Sequence, residues 1–380
     1  MTECIFNNFC GGCCFRNLEK ADYQRQKQIN LQKILLPLSG ENFDFENPVF
    51  IDDGNRRRAC MTFEMKKGNI VLGFNAKRSD EIADINHCVM LTAEINSILP
   101  IVRKLLEEIC STGIAFSGKK KKVAYSFVKK GDVWITQADN GLDLVLEFLE
   151  PITLDIRQII FEQLSGQDKI IRISHRHSQN EQPEVIMEKI KPFITISGYE
   201  VYIPAGTFLQ PSKAGEQALI GIAEKYLGNI TGKIADLFCG VGTFSYSLSQ
   251  KKDVKIVAAD SSAELLSGFQ ASINKQMIKN IEIINRNLFK YPLTEKELCG
   301  FSAIVFDPPR SGAMAQVEAI AKLSSTEKPQ KLIAVSCNPN TFVRDAQILI
   351  EGGYSLKKIT MVDQFVYSLH CELVALFEKK

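Results

Sequence analysis

The sequence predicts an α/β protein whose C-terminal half is a doubly wound, mostly parallel sheet. After about residue 203, short apolar runs alternate with amphipathic stretches of helical length. Buried strands separated by helices are typical of parallel sheets that are covered on both faces. The predicted strands are 234–238, 255–259, 281–284, 303–306 and 332–335, and a last run, 373–377, is expected to close the sheet as an edge strand.

Two further segments precede this half. Residues 1–45 hold a cysteine-rich loop and a predicted helix, 18–36, which Pro37 ends. Residues 46–195 are predicted to form an α+β domain. Its expected elements are strands at 70–74, 133–136 and 144–146 and a helix at 93–109. We therefore expect three domains: 1–45, 46–195 and 196–380.

Composition excludes a membrane protein and gives no sign of secretion. The chain has 380 residues, of which 45% are hydrophobic and 24% are charged, as in ordinary globular proteins. No apolar run approaches the roughly 18 residues that span a bilayer. The first residues lack the basic start and apolar stretch of a secretory signal. We therefore expect a cytoplasmic protein with reduced thiols.

The chain contains 11 cysteines, an odd number that is high for a reducing compartment. Such usage favours metal binding or catalysis over disulfides. Four of the thiols, Cys4, Cys10, Cys13 and Cys14, lie within the first 14 residues.

Bulk charge does not indicate a nucleic-acid partner, because the formal net charge is only +2. Any such binding must be local. Two basic clusters are candidates: Arg56–Arg58, and the run 119–122 followed by Lys129 and Lys130. The lysine run is more typical of a solvated hairpin tip.

A glycine-containing turn follows the first predicted strand of the C-terminal half. Gly240 and Gly242 lie where this strand ends and a helix begins, and Asp260 ends the next strand. A carboxylate at that position is suited to ribose hydroxyls. The missing third glycine argues against a pyrophosphate. Asp236, before the turn, instead suits a nucleoside that carries a cationic amino acid, as S-adenosylmethionine does.

Two reactive segments follow later strands of the same sheet. Asp307 follows the fourth strand and Cys337 follows the fifth. Since ligands of open parallel sheets bind outside the strands' carboxyl ends, both side chains are expected to face one cleft. A buried apolar cysteine is the usual alternative, but a position after the strand favours a nucleophile. Glu372 precedes the last strand and is a candidate base, or an exposed edge carboxylate.

Together these segments resemble the S-adenosylmethionine-dependent RNA uridine-5-methyltransferases of tRNA and ribosomal RNA. The similarity spans nearly the whole chain. It rests on Cys4-x5-Cys10-x2-Cys13, Gly54-Asn55-Arg56-Arg57-Arg58-Ala59, Leu72-Gly73-Phe74, Ile82-Ala83-Asp84-Ile85-Asn86-His87-Cys88, Phe208-Leu209-Gln210, Asp236-Leu237-Phe238-Cys239-Gly240-Val241-Gly242, Asp307-Pro308-Pro309-Arg310, Ser336-Cys337-Asn338-Pro339 and His370-Cys371-Glu372.

The resemblance implies a class I methyltransferase fold of the Rossmann-like type and two cofactors. A structural 4Fe-4S cluster is implied on Cys4, Cys10, Cys13 and Cys88, and zinc is the competing use of the same thiols. The implied contacts to S-adenosylmethionine come from Gln210, Phe238, Thr243, Asp260, Asn287 and Asp307. Thr243 and Asp260 replace the asparagine and glutamate that are more usual in the family.

The resemblance also implies a structured RNA substrate, rRNA or tRNA, with Arg56, Arg57 and Arg58 near it. Because Cys4 lies so early, we expect no N-terminal RNA-binding β-barrel. We expect a monomer. A further departure from the family pattern is Val366, where a proline is usual after Phe365.

The implied chemistry is methyl transfer to C5 of uridine with Cys337 as nucleophile and Glu372 as base. Thiolate addition at C6 raises the electron density at C5, and Glu372 then removes the C5 proton. Asp307 and Arg310 are expected to position the base. The alternatives are methylation of another RNA base, or an iron-sulfur RNA-binding or redox-sensing protein with an inactive transferase fold.

Overall fold

A computed structural model of the chain describes residues 3–117 and 123–380. The lysine run 119–122 therefore lies outside the described residues. The chain divides into two compact units. Unit 1 contains the N-terminal residues through Asn17, Asp52–Ile194 and Ile203–Ser212, and unit 2 contains Leu18–Ile51, Thr195–Tyr202 and Lys213–Lys380.

The strands and helices are numbered along the chain. The strands are β1 (Asp44–Phe45), β2 (Val49–Phe50), β3 (Arg58–Lys66), β4 (Asn69–Asn75), β5 (Ile82–Asp84), β6 (Ile114–Ser117), β7 (Val123–Ser126), β8 (Lys130–Ala138), β9 (Gly141–Glu147), β10 (Ile170–Arg176), β11 (Glu184–Glu188), β12 (Phe193–Ile196), β13 (Tyr199–Tyr202), β14 (Gly232–Leu237), β15 (Val254–Asp260), β16 (Ile281–Asn285), β17 (Phe301–Phe306), β18 (Lys331–Ser336), β19 (Tyr354–Asp363) and β20 (Glu372–Lys379). The helices are α1 (Lys20–Leu35), α2 (Ala93–Ser111), α3 (Leu154–Leu164), α4 (Lys213–Leu227), α5 (Thr243–Ser249), α6 (Ala263–Lys275), α7 (Glu295–Leu298), α8 (Met314–Lys322) and α9 (Pro339–Glu351). Among the residues described, no helix combines the length and apolar character that crossing a membrane requires.

Unit 1 is built on a seven-stranded sheet in the order β11-β10-β9-β8-β3-β4-β5. Its neighbouring strands are antiparallel except for the parallel pair β9–β10. The helix α2 packs an apolar face into the core of this unit, because Ile95, Ile98, Leu99 and Val102 recur at helical spacing. Strands combined with packed helices confirm the predicted α+β character.

Unit 2 contains the predicted doubly wound sheet. Its strand order is β1-β19-β20-β18-β17-β14-β15-β16, and β2 also pairs with β19. The five strands from β18 to β16 are parallel. The order reverses on either side of β14, so the chain has a topological switch point there, as in nucleotide-binding α/β folds.

The expected edge position of the last strand is wrong. β20 lies inside the sheet, antiparallel to both β18 and β19. The sequence analysis did not predict β19, because Lys357 and Lys358 interrupt its apolar pattern. Its insertion next to β20 buries the final strand and with it Glu372, whose residue surface is only 4% exposed.

Helix α1 belongs to unit 2 rather than to a domain with the cysteine loop, which differs from the predicted boundary at residue 45. Its buried residues, Tyr23, Lys27, Leu31 and Leu35, recur every four positions and form one face. Leu31 and Leu35 join the apolar core of unit 2. The Lys27 ammonium lies 2.7 Å from a carboxylate oxygen of Asp363, and both side chains are almost fully buried. A buried charge needs such a partner, so α1 is fixed to this unit.

Candidate active site

The candidate active site of unit 2 lies at the carboxyl ends of its parallel strands. Asp236 is in β14, Asp260 ends β15, Asp307 follows β17 and Cys337 follows β18. These strands are neighbours in the order β18-β17-β14-β15. The sheet therefore brings the segments that the sequence analysis selected to one edge, as predicted.

The glycine turn after β14 has an unusual backbone. Phe238 has a φ of 59° and Gly242 a φ of 93°, both in the left-handed region. A Cβ atom at Gly242 would lie 2.4 Å from Cζ of the buried Phe269 ring, so only glycine fits there. Strained backbone of this kind at a non-glycine residue is common where a ligand binds. Thr243 begins α5 directly after the turn.

The Asp260 carboxylate bonds to the backbone of two loops, the glycine turn after β14 and the turn after β15. One oxygen accepts a hydrogen bond from the N–H of Gly240 at 3.0 Å, and the other accepts one from the N–H of Ser262 at 2.9 Å. Each oxygen keeps a second lone pair for a ligand. Asn287 lies in a similar loop, where its Oδ1 accepts from the backbone N–H groups of Phe289 and Lys290.

The sequence analysis connected Asp236 with S-adenosylmethionine from its position before the turn, although the family resemblance did not imply it as a contact. It is fully buried, and one of its oxygens accepts a 2.6 Å hydrogen bond from the Ser245 hydroxyl. Its Oδ1 has no hydrogen-bond partner within 3–117 and 123–380. Burial, and then the charges of Asp307 and Asp260, raise the pKa of Asp236 to about 7. A buried, unsatisfied carboxylate between two others suits a cationic ligand, so this site fits S-adenosylmethionine.

The sheet register places Cys337 opposite Glu372. Ser336, the last residue of β18, pairs with Leu373 of β20, so Cys337 directly after β18 lies near Glu372, the residue before Leu373. The Cys337 thiol is half-buried. Burial, and then the negative charges of Glu372 and Asp307, raise its pKa to about 12, while Arg310 lowers it. The thiol is thus protonated at neutral pH in the protein alone.

Glu372 is a buried carboxylate rather than the exposed edge residue that was the alternative. Burial first, and then the charge of Asp307, raise its pKa to about 8, whereas a hydrogen bond from Gln364 and the charge of Arg310 act in the opposite direction. The Gln364 amide nitrogen donates to Oε1 of Glu372 at 3.2 Å. Sequence reasoning missed this contact, because only the pairing of β19 with β20 creates it.

In unit 1, the four predicted cluster thiols share one neighbourhood. Burial, and then the charges of Cys88, Cys10 and Cys4, raise the pKa of Cys13 to about 12, whereas the charge of Arg16 lowers it. The sulfur of Cys10 accepts a hydrogen bond from the N–H of Gly12 at 3.4 Å. Among the described residues, however, no group of three or more Cys, His, Asp or Glu side chains has the arrangement of a metal site.

The three arginines predicted near RNA differ in exposure. Arg57 is buried and donates from Nε to the Gln210 carbonyl at 2.9 Å, and Arg58 donates to the Leu209 carbonyl at 3.1 Å. Only Arg56 is exposed. Arg57 and Arg58 therefore hold the segment that carries Gln210 within unit 1, which is a structural role that the sequence analysis did not foresee. A cofactor contact from Gln210 stays a prediction.

The doubly wound sheet, the glycine turn and the acidic residues at the strand ends define an S-adenosylmethionine-dependent methyltransferase. A solved structure supports the fold. The tRNA (uracil-54, C5)-methyltransferase of Pyrococcus abyssi, in complex with S-adenosyl-L-homocysteine, superposes with a TM-score of 0.70 at 21% identity. The match covers 97% of this chain and 84% of that chain.

Sequence comparisons identify the family. The family model for tRNA (uracil-5-)-methyltransferase matches residues 160–380. An uncharacterized RNA methyltransferase of Brucella suis is 33% identical over 373 residues, which cover 97% of this chain and 82% of the relative. The 23S rRNA (uracil(1939)-C(5))-methyltransferase of Aliivibrio salmonicida is 28% identical, with 99% of this chain and 82% of the relative covered. The chain belongs to the tRNA (uracil-5-)-methyltransferase family.

We expect Asp236→Asn to weaken S-adenosylmethionine binding by roughly ten- to a hundredfold, because the change removes a buried carboxylate that attracts the cationic ligand when it is ionised. Wild-type affinity is expected to rise as the pH passes through about 7, where Asp236 ionises, and the variant should lack this rise. Isothermal titration over a pH series measures both effects. Asp253→Asn, at an exposed turn, is the matched control. Equal affinity and equal pH dependence of Asp236→Asn and wild type would contradict the assignment.

Proposed function

We propose that the protein transfers a methyl group from S-adenosylmethionine to C5 of a uridine in structured RNA through a covalent bond between Cys337 and C6 of the base. The observation that carries this proposal is the register of β18 and β20, which sets a cleft thiol opposite a buried carboxylate. Nucleophile and base are needed on the same ring, at adjacent carbons. Because β18 and β20 are neighbouring strands, the thiol and the carboxylate lie close enough together to act on one base.

Cys337 performs the first step. Its sulfur adds to C6 of uracil, and the electrons of the C5–C6 double bond move toward the O4 carbonyl, which makes C5 nucleophilic. S-adenosylmethionine supplies the electrophilic methyl group when it is bound. The thiol must lose its proton before it attacks, and Arg310 favours the thiolate because its positive charge lowers the pKa of Cys337.

Glu372 performs the second step. It takes the proton from C5, the electron pair of that C–H bond restores the C5–C6 double bond, and the C6–S bond breaks to return the thiolate. A carboxylate with a pKa raised to about 8 holds the abstracted proton better than an ordinary glutamate would. Burial thus raises the pKa of Glu372 into a range that suits a general base.

The substrate class follows from the family and from the chemistry of access. Related proteins carry names that specify uracil in 23S rRNA and in tRNA. C6 of a stacked uridine is out of reach for a thiol within a cleft, so the target must leave its stack. We therefore propose a uridine in an RNA loop as the substrate, with Arg56 as the exposed arginine that contacts RNA in unit 1.

Cys337→Ala is expected to lower methyl transfer to RNA by a factor on the order of 10³ or more, because C5 alone is too weak a nucleophile. Tritiated methyl incorporation into RNA from a strain that lacks the gene measures this effect.

Glu372→Gln should still form the adduct but release it slowly, so that a protein–RNA species accumulates on denaturing gels.

Exposed residues provide the controls for these two variants: Cys299→Ala and Glu351→Gln should both behave as wild type. Normal methylation of uridine by Cys337→Ala, with the product verified by nucleoside mass spectrometry, would refute the covalent mechanism. Modification of another base would instead support the alternative substrate.

We also propose that Cys4, Cys10, Cys13 and Cys88 hold a 4Fe-4S cluster with a structural role. Four thiols are the ligand set that such clusters prefer, and the mutual effects on thiol pKa support a shared neighbourhood. The Asn96 side chain bonds to both the N–H and the carbonyl of Cys88, at 2.8 and 3.0 Å, and so fixes the backbone of this proposed ligand to α2. No step of methyl transfer is assigned to the cluster.

Anaerobically purified protein should contain about four iron atoms per chain and absorb broadly in the visible range, and Cys88→Ala should lose both properties. Cys14→Ala is the matched control, because this exposed thiol lies next to a proposed ligand without being one. Iron analysis and absorbance spectra check the expectation. Stoichiometric zinc in place of iron, or loss of iron in Cys14→Ala alone, would contradict this assignment of ligands.

A further inference from the structure

Gln364 has a defined position beside the proposed base. Val362 of β19 is the register partner of Glu372 in β20. Gln364 comes two residues after Val362, so its side chain projects to the same face of the sheet as that of Glu372. Both side chains are buried, with residue exposures of 5% and 4%. The contact of 3.2 Å from Nε2 to Oε1 thus lies where water does not compete with it.

The backbone on both sides of Gln364 is fixed by α1. The preceding residue, Asp363, accepts hydrogen bonds from Lys27 at 2.7 Å and from the Tyr23 hydroxyl. After Gln364, the Lys27 ammonium also donates to the carbonyls of Phe365 and His370. The segment between β19 and β20 is therefore held at several points, and the Gln364 amide has little freedom to turn away from Glu372.

The same anchor includes a strained residue. Tyr367 has a φ of 58°, and its N–H donates to the Tyr23 hydroxyl at 2.9 Å. The rings of Tyr23 and Tyr367 pack with their centroids 4.5 Å apart. A bulky residue in the left-handed region persists only where its surroundings stabilise it. The segment between β19 and β20 is therefore held in one conformation, although it lacks the proline that is usual after Phe365.

The two oxygens of Glu372 differ in their surroundings. Oε1 accepts from Gln364, whereas Oε2 is buried without a hydrogen-bond partner among the residues that the structure describes. The charged and titratable groups around this carboxylate are Asp307 and Arg310 from the segment after β17, Cys337 from the end of β18, and the adjacent Cys371.

We propose that Gln364 is a positioning residue for the second step: its amide holds Oε1 of Glu372, so that Oε2 is the oxygen that accepts the C5 proton. This inference rests on the proposed function. The C5–H electron pair forms the C5–C6 double bond, the proton bonds to Oε2, and the sulfur of Cys337 leaves with the C6–S electrons. No further reactant is required.

An amide is suited to this task because it donates a hydrogen bond and carries no charge. Its donation stabilises the ionised carboxylate, which is the form that can accept a proton. Burial and Asp307 favour the protonated form, and Gln364 partly offsets them. Loss of the donor should therefore leave Glu372 protonated up to a higher pH, and the rate of proton removal should begin to rise only there.

Gln364→Met tests the inference, because methionine fills a similar volume without a donor. We expect the pH at which proton removal reaches half its maximal rate to rise by about one unit, so that the rate below this pH falls about tenfold. The formation of the adduct and the affinity for S-adenosylmethionine should stay at their wild-type values. Tritium release from RNA labelled at C5 of uridine, prepared from a strain that lacks the gene, measures proton removal under single-turnover conditions.

Two further variants separate positioning from folding. Gln364→Glu keeps the shape of the side chain and adds a negative charge beside Glu372, so its pH profile should shift further than that of Gln364→Met. Gln316→Met removes another buried amide of unit 2, one that bonds to the backbone of Leu293. It should lower stability without any shift of the pH profile.

The outcomes distinguish a failure of the role of Gln364 from a failure of the proposed methyl transfer. Absence of tritium release by the wild-type protein would contradict the proposed function itself. Release by wild type together with an unshifted pH profile in Gln364→Met and Gln364→Glu would overturn the role of Gln364 alone. A loss of rate by the same factor at every pH, with no shift of the profile, would show a merely structural role and would also overturn it.

Discussion

The burial of one carboxylate at the end of a strand is the constraint on which the active site depends. Glu372 is the first residue of β20, and it lies inside the sheet because β20 is flanked by both β18 and β19. Removal from water raises its pKa, so it binds a proton more strongly than an exposed glutamate. The neighbouring strand ends then contribute Cys337, Asp307 and Gln364 to the same edge.

A buried ion pair stabilises the segment that leads to this carboxylate. Burying Lys27 and Asp363 costs free energy of solvation, which their contact and the additional hydrogen bonds of each partner must offset. Since the lysine belongs to α1, the helix from the N-terminal region is part of unit 2 and contributes to the proposed chemistry indirectly. In this account, the cysteine loop of unit 1 has no role in proton or methyl transfer.

Most of the parallel sheet could be predicted because its strands are short apolar runs with clear helical stretches between them. The predicted strand 332–335, for example, lies within Lys331–Ser336. The residues at the strand ends, such as Asp307 and Cys337, were found by the same reasoning, since position after a strand implies position in the cleft.

Other features could not be predicted because they depend on pairing between distant segments. β19 carries two lysines in its middle, and its place next to β20 depends on partners that no local pattern specifies. The four-residue spacing of Tyr23 and Lys27 indicates a buried helix face but not the carboxylate that it meets. Likewise, an arginine triplet does not reveal that Arg57 is turned inward to the Gln210 carbonyl.

The most direct measurement uses RNA in which 5-fluorouridine replaces uridine. Fluorine at C5 cannot leave as a cation, so Glu372 cannot complete its step, and a sulfur–C6 bond formed before methyl transfer should persist. With S-adenosylmethionine present, the account predicts a stable protein–RNA complex whose digested peptide carries a methylated fluorouracil nucleotide on Cys337, as mass spectrometry would show. Attachment at another residue, or turnover of the wild-type protein on ordinary RNA with no trapped complex on the fluorinated RNA, would contradict it.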